Sequence, residues 1–163
     1  RNYTDAIDGF QQALMMSAKN NRMRADIHGR LGEVYHNSKK YTQSDKNFEK
    51  ALKLNPDAFT ILDSYSFHLA LRGDQLVKAE QMSKRSIELQ PNQPRLQDTY
   101  GWILYKMKNY IGAKEWLEKA MTNGGEYQSP IGRKSIRQRR RRQKRVVAIL
   151  HGLGDATTRS VAR

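Results

Sequence analysis

Apolar residues recur at three- and four-residue intervals in short blocks, and the blocks themselves recur along the chain. Such spacing puts one apolar stripe on each of a series of amphipathic helices. The pattern predicts six paired helices. The first of each pair covers Ala25–Ser38, Phe59–Arg72 and Pro94–Lys108; the second covers Thr42–Leu54, Leu76–Leu89 and Tyr110–Met121. Asn55-Pro56 and Gln90-Pro91 stop two of the second helices, since the residue before proline is driven out of helical geometry. Asn123-Gly124-Gly125 ends the last one, glycine being free to turn left-handed.

The pairs repeat in sequence as well as in pattern. Leu31-Gly32, Tyr35, Tyr41, Ser44, Phe48, Ala51 and Pro56 form one set. Tyr65-Ser66, Leu69, Ala79, Ser83, Ser86 and Pro91 form the next, and Tyr100-Gly101, Leu104, Tyr110, Ala113, Leu117 and Ala120 the third. The step is 34 or 35 residues, with the extra residue in the turn Gly73–Val77. Tyr3, Ala6, Phe10 and Ala13 fit a preceding half unit, 38 residues ahead of Tyr41, Ser44, Phe48 and Ala51. Periods of this length mark hairpins that bury their apolar faces on one another. Gly32, Ser66 and Gly101, with Ser44, Ala79 and Ala113 opposite, let the paired helices approach closely.

These residues carry a family resemblance. L-G-x-x-Y at 31–35, F-x-x-A at 48–51, Y-G-W-x-L at 100–104 and Y-x-x-A at 110–113 resemble the tetratricopeptide repeat, or TPR. The resemblance implies an all-α fold, a right-handed superhelix of tandem antiparallel hairpins. It implies a non-catalytic scaffold that binds peptides or proteins on a concave face lined by the first helices. The expected organisation is an array over 1–123: a half repeat at 1–20, and full repeats at about 25–58, 59–93 and 94–123. A linker at 124–130 and a basic tail at 131–163 follow. The start half a repeat in, at Arg1, is read as the sign of a fragment of a bacterial-type protein.

On that register the inner positions are Asp26, Gly29, Glu33, His36 and Asn37, then Thr60, Asp63, Phe67, Ala70 and Leu71, then Arg95, Asp98, Trp102, Tyr105 and Lys106. The candidate peptide-binding residues are Glu33, His36, Asp63, Phe67, Asp98, Trp102 and Tyr105. The aromatics among them suit an apolar anchor, and Asp26, Glu33, Asp63 and Asp98 suit a basic or mixed peptide. A second reading has Phe67 and Trp102 packing against the following hairpin. Some TPR domains clamp a terminal carboxylate with lysine and asparagine. Gly29, Glu33, Asp63 and Phe67 stand at the matching places, which argues against that ligand.

Nothing in the chain suggests chemistry. No two histidines have zinc-helix spacing, and no glycine-rich phosphate loop occurs. Cysteine is absent, so thiolate metal sites and disulfides are excluded. No enzyme and no cofactor are expected. No apolar run approaches the roughly 18 residues of a membrane span. The composition fits the cytoplasm and a bacterial envelope alike.

Charge changes the picture only at the end. Residues 130–163 hold 11 of the 30 lysines and arginines but one of the 16 acids, Asp155, and so carry most of the formal +14. Arg137, Arg139, Arg140, Arg141, Arg142, Lys144 and Arg145 are candidate polyanion contacts, since clustered cations gain from counterion release at phosphates. No aromatics interleave to stack bases. This segment has three readings: an incidental or disordered terminus, a nucleic-acid-binding patch that would make the chain a polyanion-binding adaptor, or a single capping helix through Val146–Leu150.

Overall fold

The computed structural model describes residues 3–17 and 19–124, and these form seven α-helices. The linker after Gly124 and the basic tail, with its seven candidate cations, lie outside the described residues. The helices are α1 (Tyr3–Met16), α2 (Asn21–Asn37), α3 (Tyr41–Leu54), α4 (Phe59–Arg72), α5 (Leu76–Leu89), α6 (Pro94–Lys106) and α7 (Tyr110–Thr122). They are arranged as tandem antiparallel hairpins. One compact unit ends at Pro91 and holds α1–α5; a second begins at Asn92 and holds the α6–α7 hairpin.

Two helix ends differ by more than one residue from the sequence expectation. α2 begins four residues early, because Asn20 caps it: its Oδ1 accepts from the Met23 amide at 2.9 Å. This cap satisfies one of the free amides of the first turn. α6 stops at Lys106, two residues early, because Lys108 turns left-handed at φ 65°.

In the first unit, α1 packs on α2 through Ile7, Ile27 and Leu31, with Phe10, Val34 and Tyr35 around them. The α2–α3 hairpin closes over Gly32. A Cβ there would stand 2.7 Å from the Phe48 ring. Ser44 Oγ crosses the same gap to donate to the Gly32 carbonyl at 2.8 Å. α4 packs on both helices: Ile61 fills the space above Gly29, and Tyr65 stacks on Phe48 with centroids 4.8 Å apart. α5 closes on α4 with Ala79, Ser83, Ser86 and Ile87 buried. In the second unit Gly101 plays the part of Gly32, its notional Cβ 2.8 Å from Leu117.

In two hairpins glycine faces a large side chain at this point of close approach. Phe48, Ser83 and Leu117 hold one register position on the second helices, and Gly32, Ser66 and Gly101 the matching one on the first. Glycine stands opposite the large residue, and Ser66 opposite the small one. Close packing leaves no room for a side chain opposite Phe48 or Leu117.

Candidate functional site

Along α2, Asp26, Arg30, Glu33 and Asn37 follow one another at helical spacing and lie at least partly open to solvent. Thirty-four residues later on α4, Thr60, Ser64, Phe67 and Leu71 do the same. The two stripes are neighbours: Ser64 Oγ donates to Glu33 Oε1 at 2.9 Å. Arg30 Nη1 holds the other carboxylate oxygen more loosely, at 3.4 Å. Glu33 is therefore an oriented acceptor between two helices. Phe67 and Leu71, half-buried and exposed, make the α4 stripe apolar towards its C-terminal end.

The other candidates on this unit sit differently. Asp63 is 3% exposed, and Ala70 is fully buried. Gly29 is buried beneath Ile61. All three are interior positions and not open groove, Gly29 at the contact of α2 with α4. His36 is half-buried in a ring cluster: it stacks on His68 at 4.0 Å and tilts against Tyr41 at 5.3 Å. Burial, then the neighbouring Arg72 guanidinium, push its pKa below the ordinary histidine value, against an opposing pull from Asp45. Phe67 lies with its ring centroid 5.9 Å from that of His68.

On the second unit α6 carries an aromatic run. Trp102 stacks on Tyr105 with centroids 5.6 Å apart, and Tyr105 meets Tyr110 of α7 at 5.7 Å. Lys106 Nζ stands 5.9 Å from the Trp102 ring centre. Both rings remain half-buried, leaning on the core of Leu104, Ala113 and Leu117. Asp98 is half-buried on the same helix.

Sequence reasoning passed over two ionic networks in the first unit. Arg72 Nη2 bonds both oxygens of Asp45, at 2.9 and 3.0 Å, and its guanidinium carbon lies 5.0 Å from the Tyr41 ring centre. Lys78 Nζ bridges Glu49 at 2.8 Å and the Tyr65 hydroxyl at 3.2 Å. Burial alone would lower the Lys78 pKa, but the hydrogen bonds to Glu49 and Tyr65 raise it above the usual value. Each partner lies 27 or more residues from the other across a turn, except Lys78 and Tyr65. A one-dimensional pattern carries no signal for such pairs. Among the described residues no group of three or more metal-ligating side chains gathers, and no helix is long and apolar enough to cross a membrane.

Tandem antiparallel hairpins of this length, closed over a small residue, define an α-helical repeat protein. The tetratricopeptide-repeat family profile matches residues 25–58 and 94–122. These two segments are tetratricopeptide repeats. A curated relative, the protein O-mannosyl-transferase Tmtc1 of Drosophila melanogaster, is 27% identical over 89 residues, 55% of this chain and 10% of that protein's length. The chain thus spans only a small part of that relative. Among solved structures, the Sgt2 TPR domain from Aspergillus fumigatus superposes with a TM-score of 0.67 at 20% identity, over 83% of this chain and 82% of that one. The TPR2B domain of yeast Sti1, solved as a pHsp70 complex, gives 0.64 at 18% identity, over 80% and 98%. These likenesses are of fold.

Proposed function

We propose that this chain is a non-catalytic scaffold that binds a protein segment along the exposed stripes of its first helices. The observation that carries this reading is the pair of stripes on α2 and α4. An oriented carboxylate, Glu33, lies beside an apolar strip of Phe67 and Leu71. A peptide that presents a basic side chain to Asp26 and Glu33 and an apolar one to Phe67 matches both features. The half-buried aromatics of α6 offer a second such surface on the other unit. The TPR2B domain of Sti1, similar in fold, is itself described as a complex with pHsp70.

The test is a selection of displayed peptides against the full chain, followed by affinity measurements on Phe67→Ala and Glu33→Gln. Removing a central aromatic anchor weakens binding by about 2 kcal/mol, roughly thirtyfold. Glu33→Gln should weaken basic peptides and spare neutral ones. Both variants should melt within a few degrees of wild type. Selected peptides that bind all three proteins equally would contradict the proposal.

A further inference from the structure

The ring and ion cluster around His36 joins three helices and borders the proposed docking face where the Phe67 ring meets His68. His36 comes from α2, Tyr41 and Asp45 from α3, and His68 and Arg72 from α4. Arg72 is the most enclosed cation with an ion pair among the described residues, its side chain 10% exposed. It spends one terminal nitrogen on Asp45 and reaches Asp74 at 3.5 Å. Its Nε and Nη1 are buried without hydrogen-bond partners, and so is Nδ1 of His36.

Burial and the Arg72 charge oppose a proton on His36. A second N–H would put a donor on the buried Nδ1, which has no acceptor within reach. The new charge would face the Arg72 guanidinium and lie 4.0 Å from the His68 ring. The charge that favours it is that of Asp45, and Arg72 already engages both of its oxygens. A proton on His36 thus sets two cations competing for one carboxylate inside a partly desolvated seam.

We propose that His36 makes the seam between the α2–α3 hairpin and α4 acid-labile: taking up a proton displaces the ring from His68, loosens the Arg72–Asp45 clamp and opens the seam locally. The sign follows from linkage. The folded state holds His36 less basic than the unfolded chain does, so below the unfolded value of about 6.5 the unfolded or opened state binds more protons. The stability from this group is complete above about pH 6.5 and is lost as the pH falls from there through the lower folded value. Histidine is the side chain whose ordinary titration lies in that window.

The experiment has two arms on the full chain. Histidine ring resonances followed by NMR from about pH 8 to about pH 4.5 give the His36 midpoint directly, which should lie below the ordinary value of about 6.5. Hydrogen exchange, corrected for the intrinsic rate at each pH, reads the seam at the amides of Leu69 to Gly73. Between about pH 7 and about pH 5.5 their protection should fall severalfold in wild type and hold in His36→Gln. A His36 midpoint at or above the ordinary value, or the same loss of protection in His36→Gln, would overturn the proposal. If His36→Gln does not fold, the wild-type midpoint decides alone. Peptide binding enters neither arm, so failure here is separate from failure of the docking face.

Discussion

Lys39, Gly73 and Lys108 occupy the same point in three turns, and all three are left-handed, at φ 62°, 70° and 65°. Each turn closes in the same way. The next amide reaches back to the first helix: Lys40 N to Tyr35 O at 2.9 Å, Asp74 N to Leu69 O at 3.1 Å, and Asn109 N to Leu104 O at 2.9 Å. That six-to-one bond satisfies a helix-end carbonyl and demands a left-handed residue. Only one turn uses glycine there. A side chain in this conformation costs roughly 1–2 kcal/mol, while a new glycine costs the folded state roughly 0.4–1 kcal/mol through the freer unfolded chain. Lys108→Gly should therefore stabilise the α6–α7 hairpin by about 0.5 kcal/mol net, read as a higher urea midpoint with an unchanged slope. The extra residue of the 35-residue step is now assigned as well. It is Gln75, itself left-handed at φ 44°. Sequence placed it in the right turn, but a lysine or glutamine at positive φ leaves no mark on a hydrophobic pattern.

Helix pairing was the most legible level. The three- and four-residue periodicity and the small residues Gly32, Gly101, Ala79 and Ala113 located every hairpin, since close approach of two helices forbids bulk at those positions. The structure adds a pairwise rule, in which the bulk excluded on one helix is carried by the other. Gly32→Ala should cost about 1–3 kcal/mol by forcing the Phe48 ring aside. The same substitution in a Phe48→Ala background should cost much less, because the ring it strikes is gone. Denaturant melts of the four proteins in the cycle measure the coupling, and strict additivity would contradict the contact. Candidate site residues were less legible. Sequence spacing put Asp63 and Ala70 among the inner positions, yet both are buried. Helical periodicity gives the face of a residue, but not how far the neighbouring helix overlaps it. Glu33, in contrast, stays partly open and meets α4 through its bond to Ser64, a small hydroxyl that a hydrophobic pattern does not mark.

For the molecule as a whole, charge and stability follow different residues. The exposed ion pairs Arg85–Asp57 and Arg30–Glu33 have little weight in stability, since solvent screens them. The enclosed Arg72–Asp45 pair and the stacked Phe48–Tyr65 rings tie the α2–α3 hairpin to α4. The α2 and α4 stripes lie outside that tie, although Glu33 bonds Ser64 and Arg30 and the Phe67 ring meets that of His68. A surface that can change its side chains without unfolding the array can acquire a partner. The measurement that tests this most directly is a map of backbone amide shifts in the full chain on addition of a selected peptide. Shifts concentrated at Asp26, Arg30, Glu33, Ser64, Phe67 and Leu71 are the predicted result. Shifts concentrated instead on the outer lysines of α3, Lys46, Lys50 and Lys53, would contradict the account.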